Sequence, residues 1–343
     1  MKLISYLEGQ EERLGIYRDG KIYNISENAH TSGEGILPDR MADFLMMGEN
    51  AIEIAKAVDR NIHAKKFVPI VSHAPESSLL APVPHPTSCR DAYAFRQHVE
   101  AARRNRKVPM IAEFDQYPIF YFTNHNSIQG PGDILCMPDH FHKLDFELEA
   151  AIVIGKRGRN IHASEAEQYI AGYMIMNDMS ARTLQMEEMM LNLGPAKGKD
   201  FATAIGPWLV TPDELEAFRV DPPPGHIGVN YNLEMTCSVN GKLVSKGNMK
   251  DMSWTFSEII ERASYGVDLL PGDVIGSGTV GTGCFLELNG TGLLNDANYK
   301  PQWLLEGDKI EMEITGLGKL SNTIRKENSS HSILALKKIE EKI

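Results

Sequence analysis

Polar and apolar residues alternate through Asp145-Phe-Glu-Leu-Glu-Ala-Ala-Ile-Val-Ile154, and this period of two predicts a strand. Phe146, Leu148 and Ala150 would face one side, and Glu147 and Glu149 the other, about 6–7 Å apart along the backbone. Two carboxylates so placed could share one cation; a strand wetted on one face would show the same pattern. Near the amino terminus, Leu14-Gly-Ile-Tyr17 and Lys21-Ile-Tyr-Asn24 flank Asp19-Gly20, a hairpin signature, so residues 2–25 read as a small β-rich unit. Met41 to about Asn61 carries a helical pattern through Phe44, Leu45, Ile52, Ile54, Ala55, Ala57 and Val58.

Leu80-Ala-Pro-Val-Pro-His-Pro86 suits neither a helix nor a central strand and reads as a linker, dividing the chain into a small β-rich amino-terminal domain, 1–80, and a main domain, 81–343. Beyond it the punctuation is that of a β-rich domain. Gly-Asp turns precede apolar runs at Pro131-Gly-Asp-Ile134, Pro271-Gly-Asp-Val274 and Glu306-Gly-Asp-Lys-Ile310, and Val239-Asn-Gly-Lys242 predicts a further hairpin. Helices are expected from the capping pattern Thr211-Pro-Asp-Glu214, over Ser253–Ser264, and from Ser180 to about Leu193. The pattern alone gives an α+β, β-rich fold.

Composition narrows the partners. A chain of 343 residues, 42% hydrophobic, can bury a substantial core. Its net charge of −11 and pI near 5.5 argue against nucleic acid or anionic membrane and favour a small-molecule substrate. Cys89, Cys136, Cys237 and Cys284 form no Cys-x-x-Cys pair, so neither a structural zinc site nor a disulfide framework is suggested. The first residues reach Glu8 too soon for a secretory signal, and no apolar stretch attains the ~18 residues of a membrane span. A soluble cytoplasmic protein is expected.

Further candidates lie near presumed strand ends. The apolar run Gly172-Tyr-Met-Ile-Met-Asn-Asp178 passes into a helix, where Asp178 would either cap the helix or serve as a third ligand. Arg182 and Gln185, one turn on, could face whatever Asp178 holds. The methionines nearby (Met174, Met176, Met179, Met186, Met189 and Met190) read as core filler. After the linker, Arg90-Asp-Ala-Tyr-Ala-Phe-Arg-Gln-His98 brings Asp91, Tyr93, Arg96 and His98 together. Gly276-Ser-Gly-Thr-Val-Gly281 matches the dinucleotide fingerprint, but Thr282–Leu288 alternates like a strand, so a Rossmann site is rejected. Asp91, Glu147, Glu149 and Asp178 are hard oxygen donors, suited to Mg²⁺, Ca²⁺ or Mn²⁺, with Arg182 and Lys199 available to offset their charge.

Taken in order, Asp91-Ala-Tyr-Ala-Phe-Arg-Gln-His98, Asp145-Phe-Glu-Leu-Glu149, Met176-Asn-Asp-Met-Ser-Ala-Arg-Thr-Leu-Gln185, Lys197-Gly-Lys-Asp-Phe201 and Pro271-Gly-Asp-Val-Ile-Gly-Ser-Gly-Thr279 with Glu287 resemble the motifs of the fumarylacetoacetate hydrolase superfamily, over roughly residues 80–320. The resemblance implies a mixed β-sandwich roll as catalytic domain and a homodimer. It implies metal ligation by Asp91, Glu147, Glu149 and Asp178, and catalysis by His98 with Glu287, aided by Lys199 and Arg182. Tyr93, Tyr121, Gln185 and Thr279 fall at substrate-binding positions. Thr123-Asn124 stands where many smaller relatives have a lysine. The basic run Arg103-Arg-Asn-Arg-Lys107 fits no motif and reads as a solvated face, with a lid over an anionic substrate as the alternative.

The expected reaction is metal-dependent hydrolysis of a carbon–carbon bond in a β-diketo or acylpyruvate acid. His98, oriented by Glu287, would activate water, and the metal, Lys199 and Arg182 would stabilise the departing enolate. Decarboxylation of a β-keto acid such as oxaloacetate is the nearest rival, needing the enolate site but no activated water. A non-catalytic cation-binding module is the third reading, and it leaves His98 and Glu287 unexplained.

Overall fold

The protein is described by a computed structural model covering residues 1–334. Strands β1 (Lys2–Glu8), β2 (Glu11–Arg18) and β3 (Lys21–Asn24) form a meander. Asp19 and Gly20 turn between β2 and β3 with φ of 51° and 72°, the conformation an Asp-Gly pair readily adopts. The main sheet also contains β4 (Cys89–Ala92), β5 (Phe120–Thr123), β6 (Leu148–Ile154), β7 (Ile170–Asp178), β8 (Thr203–Val210) and β9 (Val274–Gly276). Its order is β3-β2-β1-β8-β7-β6-β9-β4-β5, with Val71–Ser72 beyond β3 and Ile128–Gln129 parallel to β8. The amino-terminal meander thus continues the sheet that carries the central strands.

Burial on both faces of this sheet follows from alternation. Leu148, Ala150, Ile152 and Ile154 pack into a core shared with a second, five-stranded sheet (Gly132–Cys136, Glu234–Val239, Lys242–Asn248, Lys309–Ile314 and Gly318–Lys326). Ala151, Val153, Met174 and Met176 face the opposite way, against helices α1 (Met41–Met47) and α2 (Glu49–His63). The pattern read as one helix over 41–61 is broken at Gly48, whose φ of 67° and ψ of −145° end α1 and start α2.

Three local expectations are corrected. Thr282–Leu288 is no strand: α6 (Phe285–Asn295) begins there, following α3 (Arg96–Asn105), α4 (Arg182–Met190) and α5 (Phe256–Ser264) in chain order. The short alternation misled because Asp145, distant in sequence, receives the first α6 amides and stabilises a helix that the local pattern does not announce. Thr211 does not cap the 3₁₀ turn Pro212–Phe218; its hydroxyl accepts from the Met1 ammonium at 2.7 Å, and Glu214 pairs with the same group at 2.8 Å. Met186, Met189 and Met190 lie exposed on α4, whereas Met174, Met176 and Met179 are buried as expected. Among the described residues no helix is long and apolar enough to cross a membrane.

Candidate metal and catalytic site

Asp91, Glu147, Glu149 and Asp178 are all buried, and one carboxylate oxygen from each lies within 4.8 Å of the others. Sheet register explains the convergence. Gly276 of β9 lies between Asp91 of β4 and Ala151 of β6, and Glu149 of β6 is opposite Met176 of β7, two residues before Asp178. A Cβ at Gly276 would sit 2.6 Å from Asp91 Oδ1 and 2.9 Å from Glu149 Oε2, so only glycine leaves room for the two carboxylates to meet. The Gly278 amide donates to Asp91 Oδ1 at 3.1 Å. The glycine run that matches a dinucleotide fingerprint therefore serves the carboxylate cluster.

Cations enter from one side only. Lys199 donates to Glu147 and, at 2.8 Å, to Asp178 Oδ2, which also accepts from Tyr121 Oη at 2.5 Å. Arg182 reaches Asp145 Oδ2 and Glu147 Oε1, each at 2.8 Å, and Gln185 Oε1 at 3.0 Å; it does not reach Asp178. Lys199 is placed by the tight approach of Gly198 to α4, where an added Cβ would lie 2.5 Å from Gln185 Cβ.

The electrostatics divide accordingly. Burial raises the Glu149 pKa well above its ordinary value and the facing Asp91 carboxylate adds to it, so in the absence of a cation the ionised form of Glu149 is disfavoured. Asp91 is itself pushed up to about 7 by burial and by Asp178. Glu147 moves the other way: burial opposes ionisation, but Lys199, Arg182 and His98 hold its pKa below the usual range. Glu149 Oε2 and Asp178 Oδ1 are buried without a hydrogen-bond partner. Counting Asp145, five buried carboxylates face the two buried cations Arg182 and Lys199. Orphaned hard oxygens with surplus negative charge fit a divalent ion of the Mg²⁺, Mn²⁺ or Ca²⁺ type.

His98, on the first turn of α3, lies beside this cluster. Its Nδ1 is 2.6 Å from Glu287 Oε2, and the Thr282 amide donates to Glu287 Oε1 at 2.9 Å, fixing the carboxylate. Tyr93 meets the imidazole edge-on at 5.9 Å, and burial pushes the Tyr93 hydroxyl up to about 12. Thr279 Oγ1 lies 3.4 Å from Glu149 Oε1. The structure thus brings together all four carboxylates, His98, Glu287, Lys199, Arg182, Tyr93, Tyr121, Gln185 and Thr279. Arg96 does not join them; it pairs with Asp115 at 3.0 Å. In the basic run, Arg103 donates to the Pro109 carbonyl and Arg104 to Thr291 of α6.

Two residues escaped sequence reasoning. Asp145 is fully buried and accepts from Phe285 N at 2.8 Å, Leu286 N at 2.9 Å and Arg182, tying the helix that carries Glu287 to the Arg182 side of the cluster. Its signal was present as a third acid in step with Glu147 and Glu149. Cys284 precedes α6, and its sulfur, the His98 ring and the Glu147 carboxylate offer ligand atoms within 4.8 Å of one another.

Comparison with known proteins agrees with this geometry. The family model for the fumarylacetoacetate hydrolase C-terminal domain matches residues 87–325. The chain is 34% identical over 290 residues to the mitochondrial oxaloacetate tautomerase fahd2 of Xenopus laevis, covering 84% of this chain and 79% of the relative. It is 32% identical over 289 residues to the mitochondrial oxaloacetate tautomerase FAHD2A of Homo sapiens, covering 84% and 80%. Among solved structures, maleylpyruvate hydrolase from Sphingobium sp. SYK-6 superposes with a TM-score of 0.65 at 21% identity, over 95% of this chain and all of that one. The same hydrolase has also been solved in complex with manganese(II) and pyruvate. With the ordered motifs, their convergence in one buried site and a family match over most of its length, the chain belongs to the fumarylacetoacetate hydrolase family.

Proposed function

We propose that this chain is a divalent-metal enzyme that interconverts the enol and keto forms of a short 2-oxo dicarboxylic acid of the oxaloacetate type. The observation that carries the reading is the His98–Glu287 contact of 2.6 Å, set directly beside four buried, mutually close carboxylates. A divalent ion held by Asp91, Glu147, Glu149 and Asp178 would supply the positive charge that acidifies the carbon next to the carbonyl and stabilises the resulting enolate. His98 takes the proton from that carbon and returns it to the oxygen, so bonds and charge balance. Glu287 holds Nδ1, which leaves Nε2 as the nitrogen that exchanges the proton. Arg182 and Lys199 fix Glu147, while Tyr93, Tyr121, Gln185 and Thr279 line the substrate position. The relatives at 34% and 32% identity, oxaloacetate tautomerases by name, support this choice of reaction.

Carbon–carbon hydrolysis of an acylpyruvate or β-diketo acid is the second reading. It is favoured by the same histidine–glutamate pair, which is suited to activating water. Decarboxylation of oxaloacetate needs the enolate site but gives that pair no task. The three separate in one experiment: purified protein with Mg²⁺ or Mn²⁺, and with a chelator, is assayed for enol loss and CO₂ release from oxaloacetate and for cleavage of acylpyruvates. Metal-dependent enol loss without CO₂ is expected. His98→Ala should lower it on the order of 10²–10⁴-fold with metal affinity retained. Acylpyruvate cleavage in place of tautomerisation, or equal loss of turnover and metal binding in His98→Ala, would overturn the assignment.

A further inference from the structure

His98, Cys284 and Glu147 contain a donor set of a different character from the carboxylate cluster. One ligand atom of each lies within 4.8 Å of the other two, and all three side chains are buried. Imidazole, thiolate and a single carboxylate suit zinc and related borderline-soft ions, whereas the four-carboxylate set suits hard ones. We propose that these three residues form a second, thiophilic metal site that shares Glu147 with the carboxylate cluster, so that Zn²⁺ binding there silences the enzyme.

Several features favour the site. Glu287 binds His98 Nδ1 at 2.6 Å, the arrangement in which a carboxylate orients a metal-binding histidine and leaves Nε2 as the coordinating nitrogen. Cys284 Sγ accepts from the Glu287 amide at 3.4 Å. Sulfur is a weaker helix cap than the hydroxyl or carboxylate oxygen usual at this position, and two other amides of the first α6 turn, those of Phe285 and Leu286, are held by Asp145. A metal on the sulfur would cost α6 the Glu287 amide contact and leave the two bonds to Asp145 in place. On binding, a zinc–sulfur bond forms and the thiol proton passes to solvent. Zinc also binds a given nitrogen, oxygen or sulfur site more tightly than manganese does, and magnesium prefers oxygen donors alone.

Two consequences follow from the sharing. Glu147 cannot fully serve both ions, so Mg²⁺ and Zn²⁺ compete. With Nε2 coordinated, His98 has no lone pair to receive a proton; this second consequence rests on the function proposed for His98, whereas the binding does not. Cobalt(II) provides a readout independent of turnover, because a cobalt–thiolate bond gives a charge-transfer absorption that carboxylate ligation lacks. The metal-free protein should show that band on Co²⁺ addition, and Cys284→Ser, which supplies a better cap, should lose it. In the activity assay at fixed Mg²⁺, Cys284→Ser should need at least on the order of 10–100-fold more Zn²⁺ for half-inhibition, the scale on which losing even the partner of a metal ligand weakens binding, and raised Mg²⁺ should protect the wild type. Cys284→Ala repeats both measurements should the serine variant melt abnormally. Absence of the thiolate band in the wild-type protein, or equal zinc sensitivity in the variants, would overturn the site.

Discussion

Glu147 and Glu149 stand two residues apart, point into the same buried cluster, and are opposites. Glu147 is clasped by Lys199 and Arg182, which favour its ionised form; Glu149 meets Asp91 and the Thr279 hydroxyl, and burial beside that second acid disfavours its ionised form unless a cation arrives. The difference teaches that burial alone does not set the state of a carboxylate. One half of the site carries its own counter-charge and stands formed without metal. The other half is an electrostatic deficit that a divalent ion relieves.

Removing the built-in cation attacks the comparison most strongly. Lys199→Met leaves Glu147 and Asp178 without their shared ammonium, and the metal-free protein should lose ~3–5 kcal/mol in denaturant unfolding, the cost of stranding a buried charge. A loss below about 1 kcal/mol would mean that the two halves are electrostatically alike. The same chemical change at the two glutamates gives a smaller, more pointed contrast. In metal-free protein, Glu147→Gln should cost ~1.5–3 kcal/mol through weakened charged hydrogen bonds, whereas Glu149→Gln, which mimics the protonated form that burial favours, should stay within ~1 kcal/mol of wild type. Calorimetric titration with Mn²⁺ should nonetheless show weaker metal binding in both.

The last test is the pH dependence. Asp91, raised to about 7 in the fold, and Glu149, also raised, favour protons in the folded metal-free protein that the unfolded chain has released above pH ~4. The folded state then carries the extra protons, so this contribution to stability is complete at low pH and declines as pH rises through 7. Bound metal needs both groups ionised, so the rise in melting temperature on adding Mg²⁺ should be larger at pH 8 than at pH 6. A gain that is independent of pH would argue that neither group holds a proton in the metal-free state.

Much of this site could be read along the chain because strand alternation is a local property. Phe146, Leu148 and Ala150 face away from Glu147 and Glu149, and the hairpins at Asp19-Gly20 and Asn240-Gly241 form where their turn residues require. Helix α6 could not be read that way, since its first amides are satisfied by Asp145, some 140 positions earlier. Arg182 illustrates the same limit. Its place one turn beyond Asp178 suggested a partner there, yet its guanidinium turns to Asp145, on the two-residue strand Leu144–Asp145, and to Glu147, which precedes β6.

By itself, the sequence determined which residues could serve: acids at a period of two, a histidine within reach of an aromatic run, and glycines where strands end. Local periodicity needs only neighbouring residues to act, so it was enough for that much. Which acid would be ionised, which would await a cation, and that Cys284 would lie beside His98 and Glu147 were decided only by the tertiary structure. Charge state depends on every group within a few ångströms and on the water they exclude, and those neighbours come from strands and helices far apart in the chain.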